Sequence, residues 1–361
     1  MDPDRRLTLE FRPALDDAGG RKELRDGLST VMQLGRTLWV ANDESSTVER
    51  LTLHGDRAAD HRQFRVGDFV DLPDPGTDGD APEIDVEGMA TADGWLWLVG
   101  SHSLKRCRVD PDASVRKSIR RFARPESQAN RCLLARIPIV ERDGLPELAR
   151  KARPRRAQRL PGDAGGNALT RLLREDPHLA PFLGLPGKEN GFDVEGLAIA
   201  GTRLFLGLRG PVLRGWAVVL ELRPAGDGRA LALERFEGRK GARVRKHFLQ
   251  LGGLGVRDLC LDGDDLLVLA GPTMSLDGPV RVLRWREAAR GDAACVLPAD
   301  RLDTVIELAY GMRCDHAEGL ALYREDPSSE PALLVVHDSP SQARQVGASG
   351  LLADVFELRR R

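Results

Sequence analysis

One motif returns along this chain, and that repetition limits the folds open to it more than any other feature. Residues 193–211 read DVEGLAIAGTRLFLGLRGP and 85–102 read DVEGMATADGWLWLVGSH, each an Asp-Val-Glu-Gly followed by an apolar run, a turn and a second apolar run. A third copy, AEGLALYREDPSSEPALLVVHDS at 317–339, keeps Glu-Gly-Leu and lengthens the turn. Two weaker copies, LSTVMQLGRTLWVANDE at 28–44 and VRDLCLDGDDLLVLAGP at 256–272, share the pattern without the motif's carboxylates. The first apolar residues of the copies, Val31, Met89, Leu197, Leu259 and Leu320, are separated by 58, 108, 62 and 61 residues. A unit of about 60 residues suits one four-stranded propeller blade with generous loops. The interval of 108 reads as one blade with insertions, because 104–130 is basic and strand-poor and 167–183 spaces its apolar residues as a short helix does.

Third strands recur at 47–53, 131–139, 217–223, 280–286 and 354–360, and outer fourth strands are expected at 62–69, 229–236 and 303–308. The last copy has no chain left for a fourth strand. RLTLEFR at 6–12 can supply it and cover two otherwise open sheet edges. The fold class expected is therefore all-β: a single β-propeller over residues 1–361, with five four-stranded blades, or six as the alternative, and a ring closed by the N-terminal strand. Insertions fall at about 104–130 and 141–190, the second with a short helix. Two β-sandwich domains are the rival arrangement, and regular copies without an obvious linker weigh against them.

Composition excludes several classes. At 41% hydrophobic and 30% charged, the 361 residues form a core and are neither disordered nor collagenous. Lysine and arginine number 54 against 55 aspartates and glutamates, so no global field draws the chain to nucleic acid or anionic lipid. Cys107, Cys132, Cys260, Cys295 and Cys314 make an odd count with no C-x-x-C pair, which argues against a disulfide framework and a zinc ribbon. The opening MDPDRRLTLEFRP has no apolar signal core, and no run approaches the length of a membrane span. A cytoplasmic protein with reduced thiols and no membrane partner is expected.

The first and second strands of a blade run antiparallel, so the start of one and the end of the other share one end of the ring. Side chains repeat every two residues along a strand, so Asp85 and Glu87 point the same way, as do Asp193 and Glu195. Glu318 takes the matching Glu position. Several carboxylates should therefore ring the channel mouth, and like charges held close need a cation or hydrogen-bond donors. In one reading Asp85, Glu87, Asp193, Glu195 and Glu318 hold Ca²⁺ or another divalent cation, a hard ion that favours oxygen ligands. In the other, each carboxylate accepts backbone N–H bonds from its own turn or a neighbouring blade. Gly88, Gly196 and Gly319 fit both, since tight packing near the axis favours a residue without Cβ.

Loops on the same face complete a candidate catalytic set. GLRGPVLRG at 207–215 brings Arg209 and Arg214, while His102 lies between Ser101 and Ser103 and His337 precedes Asp338 and Ser339. A Ser-His-Asp triad is rejected, because no G-x-S-x-G elbow exists and H-D-S in tandem cannot adopt triad geometry. The ordinary role of Arg209 is an ion pair with Glu195 or Asp193, which would answer the crowding without metal. Lys105, Arg106, Arg108, Arg116, Lys117, Arg120, Arg121 and Arg124 cluster in the loop after the second strand, on the face expected to hold the carboxylates. Arg150, Lys151, Arg153, Arg155, Arg156 and Arg159 form a second run. Aromatics for base stacking are nearly absent from the first cluster, Phe122 excepted, so nucleic acid is disfavoured and a solvated insertion is expected. His54, His61, His178 and His247 show no H-x-x-x-H or H-E-x-x-H spacing.

With D-V-E-G, G-S-H-S, G-L-R-G-P-V-L-R-G-W and L-A-G-P-T-M-S-L-D-G-P, the chain resembles a bacterial family known as domain-of-unknown-function family 3616, from about residue 28 to the end. That family is grouped with β-propellers, which implies the architecture and no activity. The D-x-E-G-L-A start also resembles the esterase-like phytase propellers, whose implied activity is metal-assisted phosphate ester chemistry. Ser29 and Arg257 stand where the other copies have Glu, a departure that leaves three carboxylate-bearing blades.

Two functions are consistent with these residues. One is a divalent-metal-dependent hydrolase of phosphate esters, esters or lactones, with the five carboxylates on the cation and Arg209 and Arg214 on substrate charge. The other is a non-catalytic propeller that binds a protein or a small anionic ligand through the same face or the basic loop.

Overall fold

Runs of large apolar and β-branched residues bounded by Gly or Asp turns become strands covered on both faces; all six residues of TLWVAN at Thr37–Asn42 are buried. The computed structural model describes residues 1–16, 23–76, 82–107, 112–226, 228–236, 242–274, 277–311 and 315–358. Arg108 and Cys314 lie outside them.

Strand β1 spans Arg5–Glu10. The first sheet follows as β2 (Leu28–Leu34), β3 (Thr37–Asn42), β4 (Thr47–His54) and β5 (Arg57–Arg65), antiparallel in that order. The second is β6 (Val86–Ala92), β7 (Trp95–Gly100), β8 (Leu134–Arg142) and β9 (Leu145–Leu148). Helix α1 (Val115–Phe122) interrupts it, and α2 (Ala168–Leu173) follows it. The third sheet is β10 (Asp193–Ala200), β11 (Arg203–Gly210), β12 (Trp216–Leu222) and β13 (Val244–Gln250). The fourth is β14 (Gly255–Asp262), β15 (Asp265–Gly271), β16 (Val280–Trp285) and β17 (Asp303–Leu308). Last come β18 (His316–Tyr323), β19 (Ala332–Asp338) and β20 (Gly350–Glu357), and β1 pairs antiparallel with β20, Arg5 opposite Val355 and Glu10 opposite Gly350. β1 also touches β5 in parallel at Thr8 and Leu9, which links the last sheet to the first.

The chain is thus mostly β and propeller-like. Among the described residues, buried apolar side chains collect in five clusters, and each cluster is filled from two successive sheets. Trp39, Val48, Met89 and Leu98 join the first to the second, Leu206, Val218, Trp97 and Leu134 the second to the third, and Phe205, Val219, Leu266 and Trp285 the third to the fourth. Leu267, Val282, Leu320 and Leu333 join the fourth to the fifth, while Leu9, Val31, Leu38 and Leu334 join the fifth to the first. Burial of apolar surface between sheets is the main stabilising term of such a chain.

Residues between 100 and 193 hold the rest of one sheet and an insertion. Leu169, Leu173 and Leu179 of that insertion are buried in the cluster between the second and third sheets, so it is anchored by core packing. The basic loop contains α1, an element not expected there, capped by Ser114 and burying no residue. The fourth strand of the third sheet is β13, not 229–236, and Val296–Leu297 pairs in parallel beyond it. Leu231–Leu233 instead pairs in a small hairpin with Pro224–Gly226, while the alternating VRKHFLQ of β13 can bury one face against β12. Among the described residues no helix is long and apolar enough to cross a membrane.

Each sheet's first strand slips register at the same place, and β10 slips a second time between Asp193 and Val194, where Arg209 is the extra residue on β11. In β2, β6, β10, β14 and β18 two residues oppose one on the neighbouring strand, and the extra residues are Ser29, Glu87, Glu195, Arg257 and Glu318. A bulge re-aims the side chain it carries, so the third position of the repeat is the one the fold singles out.

Candidate functional site

The bulges lie where first strands meet: β6 packs on β10, β10 on β14, β14 on β18, β18 on β2 and β2 on β6. The glycine after the bulge makes that approach possible. A Cβ on Gly88 would stand 2.7 Å from Leu197 Cβ, and one on Gly196 would stand 2.8 Å from the Leu259 nitrogen. A Cβ on Gly319 would meet the Thr30 Cα at 2.9 Å. Where the repeat lacks glycine, side chains make the join. Ser29 Oγ donates to the Val86 carbonyl at 2.5 Å, and the buried Asp258 carboxyl accepts from Leu259 N at 2.7 Å and Leu320 N at 2.8 Å.

Five acidic residues expected at the mouth do share one cluster, and buried arginines thread it. Arg257 Nε lies 3.0 Å from Glu195 Oε2, and its Nη2 pairs with Glu318, so this residue links the bulges on either side of its own. Arg209 Nη1 donates to Glu195 Oε1 at 2.7 Å and its Nε to the Thr273 carbonyl at 2.8 Å, the ion pair expected as its ordinary role. Arg131, just before β8, pairs with Asp85, donates to Glu83 Oε1 at 2.8 Å and to Ser103 Oγ at 2.8 Å. Lys105 Nζ reaches Glu83 at 2.7 Å, which brings one end of the basic loop to this face.

The carboxyl groups of Glu83, Asp85, Glu87, Asp193, Glu195 and Glu318, with Asp43 acting on Glu87 and the buried Asp258 beside Glu195, thus outnumber the cations Lys105, Arg131, Arg209 and Arg257. Among the described residues, no ion pair within 4.0 Å engages Glu87 or Asp193. Burial, with the Asp85 and Glu195 charges added, holds the half-buried Glu87 well above the usual carboxyl range. Burial and then Glu195 push Asp193 up to about 7. Asp85 is also raised, by burial, with Arg131 opposing.

The remaining predicted residues serve elsewhere. His102 is buried; its Nδ1 donates to the Gly100 carbonyl at 2.7 Å and its Nε2 accepts from Asn167 Nδ2 at 2.7 Å. Asn167 caps α2, so His102 ties the insertion to the second sheet. His337 lies 3.6 Å from Asp354 beneath Arg344. Burial pulls both imidazoles down to about 4. Arg214 is exposed in the turn between Leu213 and Trp216, apart from the Arg209 pair. Sequence reasoning passed over Arg131 and Arg257. Arg131 could have been found from its place at the start of a third strand, which shares an end of the sheet with the close of the second.

No three His, Cys, Asp or Glu side chains among the described residues gather as a metal-holding group. Asp85, Glu195 and Glu318 already face guanidinium groups, which a bound divalent cation would have to displace, so this donor set does not fit a resident metal.

A mostly β, propeller-like chain with arginine-braced carboxyl groups where its first strands converge is the class that fold and site define. The sequence pattern described as "Protein of unknown function (DUF3616)" matches residues 27–354, and the chain belongs to that family. No curated protein matches the sequence. Among solved structures it is similar to Myxococcus xanthus glutaminyl cyclase, at 12% identity and TM-score 0.40, over 99% of this chain and 100% of that one. A putative 6-phosphogluconolactonase from Bacteroides uniformis is similar at 12% identity and TM-score 0.31, over 91% and 71%. The β-propeller domain of Myceliophteria thermophila Cps50 (Swd1) is similar at 11% identity and TM-score 0.33, over 93% and 99%. Likeness at this distance carries nothing about activity.

Proposed function

We propose that this protein is a single five-bladed propeller, its last blade completed by β1, that takes a small neutral or cationic ligand at the axial mouth and hydrolyses esters or lactones by acid–base catalysis. The sheet-to-sheet clusters and the pairing of β1 with β20 support the architecture. One observation carries the function: the mouth holds more carboxyl groups than cations, and two that lack an ion pair, Glu87 and Asp193, have a raised proton affinity suited to chemistry near neutral pH. Glu87, kept protonated, donates to the leaving alkoxide. Asp193, ionised in part at neutral pH, takes a proton from the attacking water. Arg209 and Arg257 fix Glu195 in place and so hold the charge that sets both affinities. An anionic substrate, phosphate esters included, is disfavoured by the acid excess. The divalent cation expected from sequence is set aside because arginines already pair with three of its intended ligands, Asp85, Glu195 and Glu318.

A panel of neutral lactones and carboxylic esters, assayed with wild-type, Glu87→Gln and Asp193→Asn proteins, tests this reading. Turnover that falls about a hundredfold or more in either variant supports it. Equal turnover in all three defeats the assignment, and binding without turnover in the wild type makes the mouth a non-catalytic ligand site. A rise in melting temperature with millimolar Ca²⁺, Mg²⁺ or Mn²⁺, abolished by chelator, would restore the metal.

A further inference from the structure

Residues of β5, the end of β8, β9 and the segments after β5 and β9, with Arg229 and Ala230 from beyond β12, line two cavities of about 600 and 230 Å³ that share Phe69 and Arg150. The larger carries five cations, Arg62, Arg65, Arg142, Arg150 and Lys151, against two carboxylates. The smaller adds Arg156, Arg159 and Arg229 against Asp71. Some of this charge is answered within the protein: Arg62 lies 3.2 Å from Glu147, Arg142 lies 4.0 Å from it, and Arg150 pairs with Asp71. Arg65, Lys151 and Arg156 are exposed, and among the described residues no ion pair within 4.0 Å engages them. Arg65 and Lys151 in the larger cavity and Arg156 in the smaller are therefore cations without a carboxylate in ion-pair range, and the larger cavity falls in the size range of small-ligand sites.

We propose that these joined cavities bind an oligophosphate, a chain of two or more phosphoryl groups, laid across Arg150 with anionic centres in each cavity. A single anion would satisfy only one of the two cation sets. Guanidinium forks match phosphoryl oxygens in bidentate fashion, which suits this surface to phosphate more than to a diffuse counterion. Phe64 is buried and Phe69 half-buried, too little exposed ring for a run of stacked bases, so a small ligand is favoured over a nucleic-acid strand. The proposal is independent of the axial site.

Calorimetric titration of the full chain with inorganic triphosphate, orthophosphate as control, tests it in wild type, in an Arg65→Gln, Lys151→Gln, Arg156→Gln triple variant, and in Glu87→Gln. The expected result is triphosphate binding that weakens about tenfold or more in the triple variant, persists in Glu87→Gln, and exceeds orthophosphate binding by a similar factor. Should the triple variant melt early, Lys151→Gln alone carries the comparison, with a loss of roughly threefold expected. No heat with millimolar triphosphate, equal affinity in wild type and variants, or no preference over orthophosphate would overturn the proposal. So would binding of single-stranded nucleic acid that triphosphate cannot compete away.

Discussion

At Gly88, Gly196 and Gly319 a single methyl group would collide with the neighbouring sheet. Gly196→Ala is expected to cost about 1–3 kcal/mol, the usual penalty of overpacking, read as a lower urea midpoint at unchanged slope. Arg257→Leu should cost more, about 3–5 kcal/mol, because it leaves Glu195 and Glu318 buried with less compensation. The histidines make a pH prediction. His102 and His337 are held down to about 4, below the ordinary 6.5, so their neutral forms favour the fold above pH 6.5 and that stability is lost as pH falls toward 4. His102→Gln should flatten the acid limb of a melting-temperature profile; an unaltered limb would mean that His102 is not held neutral. At this scale the D-x-E-G carboxylates were legible in the sequence, because a rare four-residue word recurred. The purpose of Arg257 was not, since a charge reversal inside a repeat looks like decay until its two Glu neighbours are seen on either side.

β1 belongs to the last sheet and also touches the first, so losing it opens an edge and strips a core cluster at once. Removal of residues 1–12 should lower the melting temperature by ten degrees or more and promote aggregation through the exposed edge of β20, whereas Leu9→Ala, at a fully buried position, should cost about 2–5 kcal/mol alone. Light scattering and thermal melts distinguish the two. The pairing of this segment with the last sheet was readable because alternating RLTLEFR had no partner nearby and the last copy lacked a strand. The fourth strand of the third sheet was misplaced, since LALERF and VRKHFLQ alternate equally well and only pairing with β12 decides between them. Helix α1 escaped notice because it buries nothing: Val115, Ile119 and Phe122 are all exposed, so no core stripe marked it.

Across the whole molecule, the converging first strands bring acidic residues more than two hundred positions apart into one cluster, where carboxyl groups outnumber cations and burial shifts Glu87 and Asp193 toward their protonated forms. Asp193 stabilises the fold fully below its ordinary value of 3.8, and that contribution is lost as pH rises through about 7. The most direct measurement is a carbon-13 NMR titration of the labelled Glu87 and Asp193 carboxyl groups. Asp193 should titrate near 7 and Glu87 well above the ordinary carboxyl range, with the Asp193 midpoint falling in Glu195→Gln as one neighbouring negative charge is removed. Both groups found fully ionised at about pH 5 would contradict the account, for the mouth would then be holding its excess charge by some other means.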